Sequence, residues 1–180
     1  ATCNVGADSP EDYGDYFAWG EVESKEESGG WSDYKHCNGD YNLLTKYNTS
    51  SEYGLVDNKT TLELSDDAAY MNWGGAWRMP TNAEMTELRN NCTWIWTTQN
   101  GVKGMKVTSN SNGNSIFLPA AGSSADVDKI VDVGVIGEYW SSSLYTGFPD
   151  FAWVVYFNSG NVDRSSNGRY YGRSVRPVCP

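Results

Sequence analysis

Trp77-Arg78-Met79-Pro80-Thr81-Asn82-Ala83-Glu84 is a helix start spelled out in side chains. Pro80 cannot extend a helix arriving from upstream, because it has no amide hydrogen to give. Thr81 and Glu84 then form a capping box, in which the hydroxyl takes the amide three residues on and the carboxylate reaches back to the amide of Thr81. Met85, Leu88 and Cys92 follow at spacings of three and four, which lays one apolar stripe along the helix and turns it toward a core. Trp77, Arg78 and Pro80 are expected to be structural. The run 73–81 has neither the lysine nor the spacing of a phosphate-binding loop, so its tryptophans are expected in the core.

Downstream of that helix the apolar period changes. Segments 93–98, 102–108 and 115–118 are strand-like and are separated by the turn pairs Asn100-Gly101 and Asn112-Gly113, the grammar of an antiparallel meander. Further strands are predicted over 139–143 and 152–158, then a turn at Ser159-Gly160-Asn161 and a closing strand over 173–178. Upstream, Ser65 is placed to cap a shorter helix running through Met71, with Asp66 and Asp67 at its dipole-positive end and Gly74-Gly75 as its stop. The first sixty residues alternate aromatic clusters, such as Tyr13-Gly14-Asp15-Tyr16-Phe17-Ala18-Trp19, with polar stretches such as 23–30, and read as long ordered loops. Loops, then two helices, then many strands make an α+β fold, two helices packed on antiparallel sheets, in one domain over 1–180.

Composition narrows the partners. The chain carries 23 acidic against 13 basic residues, a formal net charge of -10, which repels phosphate backbones and anionic lipid heads. No nucleic-acid partner and no direct membrane insertion are expected. The 8 Trp and 12 Tyr give ample ring area for a core. The chain begins at Ala1 rather than Met, from which removal of an export signal or other leading segment is expected.

The residues that could carry chemistry have plainer readings beside them. His36 is the sole histidine, lies in a polar loop beside Cys37 with no nucleophile signature around it, and is expected to be solvated. Asp66-Asp67 have an adequate role at a helix start without acid–base work. Asp126, Asp128 and Asp132 lack the glycine and closing glutamate of a calcium loop and read as a solvated acidic loop. Cys3, Cys37, Cys92 and Cys179 are too widely spaced for zinc knuckles and make zero, one or two disulfides. No cofactor and no metal are expected.

From Trp77-Arg78-Met79-Pro80-Thr81-Asn82-Ala83-Glu84 the chain resembles the formylglycine-generating-enzyme branch of the C-type lectin-like fold, with Leu118-Pro119-Ala120-Ala121-Gly122, Tyr139-Trp140-Ser141-Ser142-Ser143 and Gly172-Arg173-Ser174-Val175-Arg176-Pro177-Val178 matching in order. Together with Ala1-Thr2-Cys3-Asn4-Val5-Gly6-Ala7 and Gly14-Asp15-Tyr16-Phe17-Ala18-Trp19-Gly20-Glu21, these motifs are similar to the exported major-paralogous domains of gut Bacteroidetes. The same C-terminal frame resembles the variable proteins of diversity-generating retroelements. The resemblance spans nearly the whole chain and implies a C-type lectin-like fold, with a first strand that would lie upstream of Ala1, and an extracellular, cell-surface or phage-virion location. It does not imply catalysis: the enzyme branch uses a cysteine pair near the end of the fold, where this chain has Cys179 alone. The calcium- and sugar-binding triplets E-P-N and W-N-D of animal lectins do not occur.

Residues 145–171 contain no Lys, Gln, Glu or Met and abound in Tyr, Phe, Asn, Ser, Asp, Gly and Arg, a composition like that of an antibody paratope. It is also the output of AAC codons whose adenines have been replaced, with Trp153 the exception. Strand alternation assigns Trp153, Val155 and Phe157 to the core face and Val154, Tyr156 and Asn158 to the outer one. The expected ligand-binding residues are Tyr145, Phe148, Asp150, Phe151, Val154, Tyr156, Asp163, Ser165, Asn167, Tyr170 and Tyr171, as one contiguous exposed patch for a protein or glycan ligand on another cell or surface. A structural module of a surface or pilus-like assembly and a formylglycine-generating-type enzyme are the competing readings. Arg176, between core positions, is expected to be partly buried and hydrogen-bonded rather than ligand-facing.

Overall fold

The Thr81–Glu84 capping box forms as read. In the computed structural model, which describes residues 1–25, 27–126 and 129–180, Thr81 Oγ1 accepts from the amide of Glu84 at 3.2 Å, and Glu84 Oε2 accepts from the amide of Thr81 at 2.8 Å. The helix they start, α2 (Asn82–Asn91), buries Met85, with Leu88 partly buried against the same core and Cys92 following at the helix end. Arg78 closes the cap from outside through two contacts to the Glu84 carboxylate, at 2.8 and 2.6 Å. That pairing holds the Glu84 carboxyl down at about 2. Glu26 and Asp128, within the polar stretch and acidic loop read above, lie outside the described residues.

The first helix, α1 (Ala68–Trp73), starts later than its sequence suggested. Its cap is Asp67, which accepts from Tyr70 N at 3.0 Å, while Leu64–Asp66 forms a short 3-10 turn. Asp66 is engaged elsewhere: its buried carboxylate takes Lys46 Nζ at 2.5 Å, Tyr47 Oη at 2.7 Å and Lys35 Nζ at 3.1 Å. Burial works to raise its pKa, and these donors overcome that and hold it at about 2. Gly74, at φ 67°, ends α1 as expected, a left-handed position that suits glycine.

The meander also forms: β1 (Cys92–Gln99), β2 (Val102–Ser109) and β3 (Ser115–Pro119) make one antiparallel sheet in the order β1-β2-β3. Asn100 (φ 48°) and Gly101 (φ 87°) turn the first hairpin, both in the left-handed region that a tight two-residue loop demands. A small hairpin, β4 (Ser123–Asp126) with β5 (Lys129–Val131), follows. The second large sheet holds β6 (Gly137–Leu144), β7 (Phe151–Asn158) and β8 (Asn161–Gly168), antiparallel in that order. β8 was not foreseen, because its polar sequence Asn161-Val162-Asp163-Arg164-Ser165-Ser166-Asn167 carries little apolar alternation. The predicted closing strand over 173–178 is instead an extended segment joined by single bridges, Phe17 to Arg173, Tyr139 to Ser174 and Arg78 to Val178.

Two core clusters flank the β6–β8 sheet. One gathers Phe17, Trp19, Tyr47, Met79, Trp140, Val154 and Val175; the other gathers Met85, Met105, Leu118, Tyr139, Val155 and Phe157. The predicted outward position of Val154 is therefore a correction: it is 1 % exposed. Alternation correctly separates Val154 from Val155, but the ordered loops of the first half of the chain cover the face that alternation assigns to solvent. The same cover explains His36, which is buried rather than solvated, with Nε2 2.8 Å from Gly20 O and 3.8 Å from Asp66 Oδ1. Trp73 and Trp77 depart in the other direction. Trp73 is exposed, Trp77 is half-buried, and the two rings pack on each other at 5.2 Å instead of entering a core.

Arg176 is hydrogen-bonded, as expected, and more deeply buried than expected: it donates to Asn4 Oδ1 (2.8 Å), Thr2 O (2.7 Å) and Phe117 O (3.0 Å). Among the described residues the four cysteines are all unpaired, so of the readings left open the structure has no disulfide. The architecture is mixed α+β, consistent with a C-type lectin-like fold.

Candidate functional site

Arg169, immediately after β8, is fully buried, and among the described residues no carboxylate forms a salt bridge with it. Its guanidinium is used instead on oxygens from three parts of the chain. Nε donates to Tyr34 Oη (2.9 Å), Nη1 to Tyr47 O (3.0 Å) and Pro149 O (2.9 Å), and Nη2 to Lys46 O (3.0 Å). The rings of Trp19 and Tyr34 lie 4.9 and 5.2 Å from its Cζ, so the cation is held by π faces and carbonyl dipoles. Arg169 N also donates to Asp150 O at 3.0 Å. The planar fork thus fixes the β6–β7 loop, residues 145–150, against residues 46–47.

That loop carries a linked set of rings. Tyr145 lies 6.1 Å from Phe148 and 4.9 Å, edge-on, from Trp153, and Phe148 lies 6.4 Å from Phe151. Arg164 reaches over the Trp153 ring at 5.1 Å from β8. Phe148 is 55 % exposed at the tip, and Tyr145, Phe151 and Asp150 are half-buried beneath it. Burial pushes the Asp150 carboxyl up, with Arg169 opposing. One of its oxygens is buried without a hydrogen-bond partner, which costs desolvation that Arg169 offsets only in part.

The other expected site residues do not join this set, so the single patch becomes two groups. Tyr156 is five positions along β7 from Phe151, roughly 16 Å at strand rise, and lies on the opposite face from Trp153. It pairs with Asp163, as Val154 does with Ser165 and Ala152 with Asn167, so these residues share one face of β7 and β8. Ala152 and Val154 are the buried members of that row. Ser165 is exposed, Asn167 donates to Glu138 Oε1 at 2.9 Å, and Asp163 pairs with Arg89 of α2 at 3.2 Å. Tyr170 and Tyr171 are half-buried and pack on each other, tilted, at 4.1 Å, with Tyr170 against Trp31 (5.0 Å) and Tyr171 under Arg173 (4.8 Å). Arg173 Nε in turn lies 2.8 Å from Glu138 Oε2, off the N–H axis and so a charge contact rather than an aligned hydrogen bond. Tyr156, Asn167 and Tyr171 thus belong to a polar face organised by Glu138, while Tyr145, Phe148, Asp150 and Phe151 form the aromatic end.

Sequence reasoning missed the residues that border the aromatic end from the first half of the chain, which it read as loop. Gly54, at φ 118°, lets residues 53–55 lie beside Leu44: Leu44 N donates to Tyr53 O (2.7 Å) and Leu55 N to Leu44 O (2.8 Å). A Cβ at Gly54 would stand 2.5 Å from Leu44 O, closer than any side chain tolerates. The aliphatic residues Leu43, Leu55 and Val56 were the available signal, since three solvent-facing aliphatics in one polar loop are unusual.

Among the described residues no group of three or more His, Cys, Asp and Glu side chains is placed to hold a metal ion. No curated protein and no solved structure matches the chain. A family model, that of the Lcl C-terminal domain, matches residues 18–179. That span takes in all three sheets, both α-helices and the Arg169 clamp, and the chain belongs to the Lcl C-terminal domain family.

Proposed function

We propose that this domain is a non-catalytic recognition module, working outside the cell, that binds a protein or glycan ligand through the aromatic end of the β6–β8 sheet. The observation that carries this reading is the ring set Tyr145, Phe148 and Phe151, presented to solvent by a loop whose backbone Arg169 pins to the core. Rings held still in the free protein lose little entropy on binding, which is the advantage of aromatic paratopes. Membership of the Lcl C-terminal domain family supports a surface or ligand-binding role. Against nucleophilic catalysis stands His36, whose Nε2 is engaged by the carbonyl of Gly20 inside the core.

Diversification by a retroelement remains part of this proposal on the composition of residues 145–171, and a reverse transcriptase with a template repeat beside the gene is its direct check. For the binding role, the experiment is a glycan and surface-protein array probed with the parent and with Phe148→Ala. A true site loses about 2 kcal/mol or more of affinity for its ligand on truncation of a central ring. Equal binding of every array ligand by parent and variant would remove the aromatic end as the site.

A further inference from the structure

Five of the most exposed large apolar side chains lie on two segments that Arg169 ties together. Tyr41, Leu43, Leu55 and Val56 stand on the loop around Leu44 and Gly54, and Phe148 on the β6–β7 loop; their exposures run from 39 % at Val56 to 66 % at Leu55. The tie is direct, because a single guanidinium nitrogen, Arg169 Nη1, donates both to Tyr47 O and to Pro149 O. Tyr53, whose ring meets Tyr41 at 6.2 Å, has its phenol pKa raised first by burial and then by the Asp150 carboxylate, so it lies within electrostatic reach of the β6–β7 loop. Two segments far apart in sequence are therefore held side by side, each offering exposed apolar surface.

We propose that this surface is a single docking site and that its occupant is a protein presenting apolar and basic side chains together. The inference rests on the recognition reading above and narrows its ligand. Leucine and valine offer a sugar no ring face to stack on and no polar atom to bond, whereas they are ordinary contact residues for apolar protein side chains. Along residues 40–56 the exposed charged side chains are acidic. Asp40 and Glu52 are exposed at its margin and Asp150 lies within it, while Lys46 is committed to Glu63 and Asp66 at 2.6 and 2.5 Å. A lysine or arginine arriving with an apolar neighbour would meet carboxylates and ring faces at once.

The test is a titration of the isotope-labelled domain, followed by amide chemical shifts, with three probes: a synthetic leucine–lysine peptide, its leucine–glutamate counterpart, and cellohexaose. The expected result is that the leucine–lysine peptide shifts the amides of residues 41–56 and 145–151 together and the other two probes shift neither. Leu55→Ser and Phe148→Ser should each weaken that peptide about tenfold or more, with unchanged urea midpoints showing that both variants fold. Shifts confined to 145–151, with Leu55→Ser binding like the parent, would remove the loop from the site and leave the recognition reading standing. Preference for cellohexaose or the glutamate peptide on this face would overturn the basic protein partner alone. Silence of both segments toward all three probes would overturn the proposal, and the recognition reading would then stand or fall by the array.

Discussion

The two large sheets are built from the same kind of strand, yet only one of them obeys the simple rule of alternation. In β1 and β2 the residues of one face, Trp94, Trp96, Met105 and Val107, pack toward the core, while Thr93, Ile95 and Lys106 face water. In β6 and β7 both faces are buried: Trp140 and Val154 enter one cluster, Tyr139, Val155 and Phe157 the other. The difference is not in the strands. It comes from the long ordered loops of the first half of the chain, which cover the second sheet and leave the first uncovered. Alternation tells which side chains share a face, and says nothing of whether another layer will lie on it.

The comparison can be broken at its anchor. Arg169→Ala should destabilise the domain by about 3 kcal/mol or more, since it leaves the carbonyls of Lys46, Tyr47 and Pro149 buried without donors and unties the covering loop from the second sheet. A urea midpoint close to the parent's would show that the loops are held some other way. Val154→Ala tests the burial of the face itself and should cost about 2 kcal/mol as a core truncation; a loss under about 0.5 kcal/mol would return Val154 to the surface.

Outside the sheets, Thr81→Ala removes the acceptor for the Glu84 amide and should cost about 1 kcal/mol. If urea melts of variant and parent overlay, the cap contributes nothing. A pH titration sharpens the same picture. Asp66, which ties the covering loop, and Glu84, in the cap, both have folded pKa values depressed to about 2, below those of the unfolded chain. A depressed folded pKa contributes stability that is fully present above the unfolded pKa, near 4, and is lost as pH falls toward about 2. Stability should therefore decline over that window, and Asp66→Asn should flatten the decline. The smallest effect is expected on the open face of the first sheet: Ile95→Ser should change stability by no more than about 0.5 kcal/mol, and a larger loss would mean that this face is covered too.

Much of the fold was legible in the chain because its signals are local. The capping box at Thr81, the glycine stop after α1 and the Asn-Gly turn at 100–101 each specify a backbone conformation within a few residues, and each formed. The candidate site was legible in composition but not in place. The ring-rich span 145–171 does hold the aromatic end, yet Tyr156 and Asn167 belong to another face, and four of the five exposed apolar side chains proposed to dock a partner come from residues 41–56.

By itself the sequence determined α2, the order of the meander, the α+β class and the ring-rich composition of residues 145–171. Only the tertiary structure decided which faces are covered: that Val154 and His36 are buried, that Trp73 is exposed, that Asp66 is an ion-pair hub and Asp67 the cap, and that Arg169 joins residues 46–47 to 149. The physical reason is range. Caps, turns and periodicity are set by neighbours in sequence, whereas burial and the pairing of a cation with distant carbonyls depend on which remote segment arrives to exclude water, and no local pattern records that arrival.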